Sequence, residues 1–232
     1  MDYNQLIASS ATAGSIARWM NNSTIVGDVP EIVVEAESWI YRRLRHFKMI
    51  PAPVTGTLTI GQDNLALPAD HLEPIVLMTT GNYYQFLDQK PMQEVLASWA
   101  WNGDGTTRVQ QQPMIYYFDQ SAFRFDSPPD KAYAYALLYY QQPAPLSVSI
   151  TNFLTATYPR LVRCACMAAA CEWAKDSGVG NFDRTYWDTL AQDEIDKAQA
   201  ESDRSHRGII AGMILIGGAG YNNYPFTTGG TW

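Results

Sequence analysis

The chain has 232 residues, 47% hydrophobic and 17% charged, with a formal charge of −7 at pH 7 and a pI near 4.9. That length holds one large domain or two small ones around a substantial core, and the acidic balance argues against gripping a nucleic-acid backbone by bulk attraction. The three cysteines, odd in number and clustered at positions 164, 166 and 171, imply no disulfide framework.

The opening, MDYNQLIASSATAGSIARWM, has no basic leader followed by an apolar run, so no secretory signal is expected and folding in cytoplasm is. Without secretion the overlapping sequons at Asn21 and Asn22 read as chance. Residues 2–22 read as one or two short helices. A clearer helix follows: Asp28 suits the cap, Pro30 the first turn, and Ile32, Val33, Ala36, Ile40, Leu44 and Phe47 an apolar stripe. Arg42, Arg43, Arg45, His46 and Lys48 gather at its far end, where cations complement the helix dipole, and Pro51 and Pro53 stop it.

From about 54 to 149 the character changes. TGTLTI alternates as a strand does, PIVLMTT is rich in β-formers, and GNYY marks a turn into another strand. PMQEVLASWAW reads as a short helix and NGDG, residues 102–105, as a loop. PMIYYFD and AFRFD form a hairpin turning at Gln120-Ser121. KAYAYALLYY sets Tyr133, Tyr135, Leu137 and Tyr139 against small residues, a strand with one crowded face. Helices then return. Thr151 or Asn152 caps a short one, Pro159 opens a longer one built on CACMAAAC and running to about Asp176, and Gly178 and Gly180 break it. A last helix spans about Phe182 to His206.

The expected fold class is therefore α+β. Residues 1–50 and 150–207 form a helical module, 51–149 an inserted antiparallel β module, and 208–232 an extended C-terminal arm. No internal repeat is visible.

Chemistry-bearing constellations are few. Zinc wants thiolate or imidazole pairs from two arms, whereas C-x-C-x4-C lies within one small-residue helix, far in sequence from His46, His71 and His206. Packing of that helix is the plain reading; a Cys–His nucleophile pair, and with it a small cysteine-dependent hydrolase, is the rival. NGDG offers one good calcium ligand, Asp104, and lacks the closing glutamate of an EF-hand. The acids of the last helix interleave with Lys197, Arg204 and Arg207, as on a solvated face. No G-x-S-x-G, Walker loop or dinucleotide fingerprint occurs. No catalytic residue, metal or cofactor is expected. The basic residues 42–48 suit a solvated or subunit-facing surface better than a phosphate site.

The segment from Ile209 to Trp232 carries no charged side chain. Its longest strongly apolar stretch, Ile209 to Ile216, is interrupted by Gly212 and falls far short of the roughly 20 residues of a membrane span. A solvating tail would be charged and poor in aromatics. Folding back on its own domain is one reading. The other is an arm that gains order from a partner: glycines let it follow a groove, and Ile209, Ile210, Ile214, Leu215, Ile216, Tyr221, Tyr224, Phe226 and Trp232 fill pockets or add a strand. Fourteen tyrosines and seven tryptophans also favour interfaces.

Three stretches carry a family resemblance. VPEIVVEAESWIYRRLRHFKM has a proline start, an alanine–glutamate pair and a basic Leu-Arg close. LALPADHLEPIVL holds Leu67, Pro68, Asp70, Leu72 and Glu73. YALLYYQQPAPLSVSITNFLTATYPRLVRCACMAAACEWAKD runs from a tyrosine strand through Pro-x-Leu-Ser, Thr-Asn-aromatic-Leu and Tyr-Pro to a small-residue helix. In this order they resemble the head–tail adaptor (connector) proteins of tailed bacteriophages and cover about a third of the chain. Two departures stand out: His71 where an aromatic residue is commoner, and Arg160 where an acid is expected.

The resemblance implies a structural protein of the virion's head–tail interface, made and assembled in the host cytoplasm. It implies a twelve-membered ring beneath the portal protein, joining it to tail nozzle or tube proteins and lining the DNA exit channel. Double-stranded DNA would pass without specific binding, and no membrane is involved. A closed ring needs two different sticky faces on each subunit, for which Trp99, Trp101, the strand tyrosines Tyr133, Tyr135 and Tyr139, and the small-residue helix are the candidates. A tail-tube or tail-completion component is the alternative within structural proteins.

Overall fold

The structure is a computed structural model that describes residues 1–217 apart from 81–83, 104, 120, 177 and 179–181, with the backbone alone from 206 onward. The chain is α+β: helices α1 (Tyr3–Leu6), α2 (Ile16–Trp19) and α3 (Val29–Arg43) come first. Strands β1 (Val54–Leu58), β2 (Asn64–Ala66), β3 (His71–Thr80) and β4 (Gln85–Gln89) follow, then α4 (Met92–Ala97), β5 (Ile115–Asp119), β6 (Ala122–Phe125) and β7 (Tyr133–Gln141). Helices α5 (Phe153–Thr157), α6 (Pro159–Asp176) and α7 (Arg184–Gly217) complete it.

Helix α3 buries the stripe Val29, Ile32, Val33, Ala36, Ile40 and Tyr41. It stops at Arg43, earlier than the basic run and prolines suggest, because Leu44 turns extended (φ −91°, ψ 127°). Arg45 then donates through Nη1 to the Tyr41 and Leu44 carbonyls at 2.7 and 3.0 Å, which satisfies acceptors the helix end leaves open. Asp28 occupies the cap position without a side-chain cap bond. Asn152, by contrast, caps α5 through a full capping box with Thr155, which joins two otherwise orphaned donors reciprocally.

Helix α6 is the centre of the helical layer. Its Leu161, Val162, Cys164, Ala165, Cys166, Met167, Ala169, Ala170, Cys171 and Ala174 all enter one core with residues of α3 and α7. A helix buried nearly all round needs small side chains, which let neighbours approach on two sides. Packing runs α3 against α6 and α6 against α7. Past α6, Gly178 takes φ +67° and its N–H reaches the Lys175 carbonyl at 3.2 Å, a left-handed helix end that glycine adopts without Cβ strain.

The seven strands form one sheet in the order β1-β7-β3-β4-β5-β6-β2. It is mixed rather than wholly antiparallel, because β4 and β5 pair in parallel, Asp88 opposite Ile115. A parallel pair requires a crossover connection, and α4 with the 98–114 segment supplies it. The two edge strands, β1 and β2, are consecutive in sequence and six residues apart, so the sheet curls upon itself. Leu58, Leu77, Leu87, Tyr116, Phe123, Phe125, Leu137 and Tyr139 fill the inside. Pro74 sits within β3 where the register with β7 slips between Pro74 and Val76, as a residue without an amide donor requires.

Candidate assembly surfaces

One buried carboxylate fixes how the strand-to-helix connection crosses the helical layer. Glu37 is 4% exposed. Both its oxygens accept the Leu146 N–H at 3.2 Å, and Oε1 also accepts the Tyr41 hydroxyl at 3.0 Å and Asn152 Nδ2 at 3.4 Å. Burial raises its pKa, opposed by these bonds. The sequence holds a signal for this role: Glu37 lies on the apolar stripe beside Val33 and Tyr41, where a charge has to be answered by partners. Held this way, the 145–150 loop leaves Val148 and Ile150 exposed beside α3.

Between that loop and α3 runs a groove of about 470 Å³, lined by Tyr3, Glu31, Val34, Glu35, Ser38 and Arg42 among others. It is the outward stripe of α3. On the other side of α6, the outward stripe of α7 is Thr189, Asp193, Asp196, Ala200 and Asp203, all exposed.

The lower ends of these helices are tied together. His46 is fully buried; its Nδ1 accepts the Lys48 N–H at 3.2 Å and its Nε2 lies 2.9 Å from the Tyr158 hydroxyl, which donates to Glu201 at 2.7 Å. The Arg45 and Phe47 amides bond Gln199 Oε1 and Ser202 Oγ at 3.2 and 2.9 Å. Arg45 also pairs with Glu73 at 2.7 Å. Of the basic run, then, His46 and Arg45 serve the fold. Arg42 and Arg43 stay exposed, with the Arg43 guanidinium over the Trp39 ring at 4.3 Å.

Both departures from the adaptor pattern find a physical place. His71 sits among Tyr139, Phe118 and Phe123 with ring centroids 5.5–5.7 Å apart, and burial lowers its pKa, so a neutral imidazole fills an aromatic slot. Arg160 lies 3.6 Å from Glu194, joining the start of α6 to α7.

The aromatic candidates separate in the fold. Tyr139 is 3% exposed and donates to Asp70 at 2.9 Å, which places it inside the chain. Tyr135 is half-buried and its ring lies across Gly56 of β1, where a Cβ would meet it at 2.8 Å. Tyr133 is half-buried and donates to Asp130 at 2.8 Å. Trp101 is exposed, at the base of a small hairpin closed by its bridge to Arg108, and meets Trp99 edge-on at 6.4 Å.

Arg108 anchors that hairpin, a role no pattern in the sequence announces. Its side chain is 10% exposed and pairs with Asp63 at 2.6 Å. It donates to the Phe125 and Asp126 carbonyls at 3.0 and 2.5 Å and stacks on Trp99 at 4.0 Å.

Cys164, Cys166 and Cys171 are all buried and unpaired, and burial raises each thiol's pKa. That environment works against a thiolate. Among the described residues no three His, Cys, Asp or Glu side chains converge to hold a metal ion, and no helix is long and apolar enough to cross a membrane. Asp104 lies outside the described residues.

Helix α7 continues to Gly217, beyond the His206 boundary that the sequence suggests. Ile209, Ile210, Ile214, Leu215 and Ile216 are thus on its backbone, their side chains outside the description. Tyr221, Tyr224, Phe226 and Trp232 lie outside the described residues.

Residues 1–211 match the family model described as SU10 adaptor protein. No curated protein matches the chain.

Proposed function

The chain belongs to the SU10 adaptor protein family, a phage head–tail adaptor family, and from that premise we propose that it forms a ring beneath the portal, joins portal to tail, and lines the DNA exit channel. The family match over residues 1–211 carries this reading and makes the role a structural one in the virion. Twelve copies is the number the resemblance implies. Portal and tail nozzle or tube proteins are the partners, and assembly follows synthesis in the host cytoplasm.

Physical features support it. A head-to-tail ring needs unlike faces on opposite sides of each subunit, and α3 and α7, each packed on α6, present different surfaces: a groove on α3 and an exposed stripe with Asp193, Asp196 and Asp203 on α7. Twelve copies at −7 each bring a total of about −84, so a lumen formed by them repels the phosphate backbone and lets DNA pass without sticking. The reading keeps the helical module with its inserted β module, and gives the 208–232 segment to the portal or a neighbouring subunit. The hairpin bearing Trp101 is the exposed aromatic contact. A tail-tube or tail-completion role shares these features and differs in its partner. A cysteine hydrolase would need an accessible thiolate, against the burial of all three thiols.

The test is the light-scattering mass of the chain mixed with portal rings of the same phage. About twelve copies per portal is the expected result; a lone monomer in the presence of portal would overturn the adaptor role in favour of a tail component. A chain ending at Arg207 is expected to fold but to attach weakly, and normal attachment by it would remove the arm from the account.

A further inference from the structure

The outer face of the curled sheet is uncharged across four strands. Cross-strand register sets Thr55, Ala136, Met78 and Phe86 in one row over β1, β7, β3 and β4. Thr57, Ala134 and Thr80 form the next row on that face, and on the other side of the first row Leu138 stands opposite Val76. The intervening row of Leu137, Leu77 and Leu87 points inward. Among the described residues none of the outer side chains joins either hydrophobic core. Phe86 is 62% exposed and Tyr84, two residues before it, 63%. The alanines and threonines of β1 and β7 make a low floor beside these rings.

The helical layer delivers a matching segment to this face. Helix α7 passes the start of α6 at Glu201, which accepts the Tyr158 hydroxyl at 2.7 Å. The β module is tied on at the same end, through Arg45 and Glu73. The charge of Asp203 on α7 acts on Tyr140, which follows Leu138 on the outer face of β7 and packs against the helical core. Helix α7 then continues to Gly217, about 24 Å past Glu201. Fifteen residues, 218–232, follow. Extended, they span about 50 Å, against roughly 30 Å for the whole of β7. From Ile209 to Trp232 no side chain is charged, so neither partner in such a contact brings a charge that burial would strip of water. Tyr221, Tyr224 and Phe226 supply rings to bury against Phe86 and Tyr84.

We propose that in the free chain residues 218–232 lie across this outer face of their own sheet, and that the portal or a neighbouring subunit draws them off it on assembly. The docking stands without the ring reading; the release rests on it. Docked, the segment and the face shield each other from water until the ring forms. A partner for the arm has to compete with the sheet, so its apparent affinity falls with the fraction of arm that is free.

A pair of spin labels tests both halves. The native thiols are buried, so nitroxides go to Thr59→Cys, exposed just past β1, and Thr228→Cys, and electron–electron resonance gives the distance between them. The free full-length chain should show one short, narrow distance that dilution with unlabelled chain leaves unchanged. A broad distribution would leave the face uncovered, and a short distance lost on dilution would give the arm to a second copy; either overturns the proposal. Phe86→Asp, at an exposed position, should broaden the distribution, and a distance unmoved by it would place the arm elsewhere. Portal rings of the same phage should lengthen the wild-type distance. Chain gathered on portal with the short distance intact overturns the release alone. Chain that never gathers on portal overturns the ring reading and leaves the docking result as measured.

Discussion

The Glu37 carboxylate, midway along α3, accepts the Leu146 amide through both oxygens at 3.2 Å, across 109 residues of sequence. This bond, with Asn152 beside it, pins the connection from β7 to α5 onto the first helix, and so positions the loop that walls the α3 groove. Replacing Glu37 by Ala strands a buried amide and the Tyr41 hydroxyl. The expected cost is about 2–3 kcal/mol, a fall in Tm of roughly 5–10 °C for a chain of this length. Glu37→Gln keeps one acceptor and should lose about 1 kcal/mol. Equal losses for the two variants would show that volume, not hydrogen bonding, holds the crossing.

The same residue makes stability depend on pH with a definite sign. Burial raises the folded-state pKa of Glu37 above its ordinary value of 4.5, so between those two values the folded chain binds more protons than the unfolded chain. Stability from this group therefore grows as pH falls through the folded pKa and is complete below 4.5. Urea midpoints of wild type and Glu37→Gln, compared from neutral pH down to pH 4.5, should shift in favour of wild type. A difference that stays constant across the window argues that the carboxylate is unperturbed.

Much of this fold is legible in the residues, and the parts that are not share a cause. The 3.6-residue period placed α3, Pro159 placed the start of α6, and alternation placed β7, because each depends on local pattern. The parallel β4–β5 pair escaped, since strand direction is set by the crossover between strands and not by the strands themselves. So did the end of α3, where Arg45 caps from outside the helix, and the length of α7, whose glycines argue locally against continuing. Among surface candidates, Trp101 is exposed, while Tyr139 is drawn inside by Leu137, Phe123 and Asp70. Alternation identifies the crowded face of a strand but not what crowds it.

Arg108 illustrates a residue that only the assembled fold explains. It bonds Asp63, two carbonyls and the Trp99 face at once. Arg108→Ala leaves Asp63 and both carbonyls without that donor and should cost about 3 kcal/mol. Lysine keeps the charge but neither the fork nor the stacking plane, so Arg108→Lys should recover less than half of the loss. Urea unfolding followed by tryptophan fluorescence reads both. A lysine variant as stable as wild type would reduce Arg108 to a simple point charge.

The thiols bear on function as well as packing. Cys164, Cys166 and Cys171 are each at most 1% exposed, within the small-residue helix that α3 and α7 clamp. Attack on a disulfide reagent needs a thiolate and access to it, and burial denies both. The native chain at about pH 8 should therefore react slowly with Ellman's reagent, at the rate of transient opening, and release three equivalents at once in guanidinium. Destabilising variants such as Glu37→Ala should speed the native reaction in proportion to their loss of stability, if opening is global. One thiol reacting within seconds in the folded chain would instead mark an activated cysteine and return the hydrolase reading to consideration.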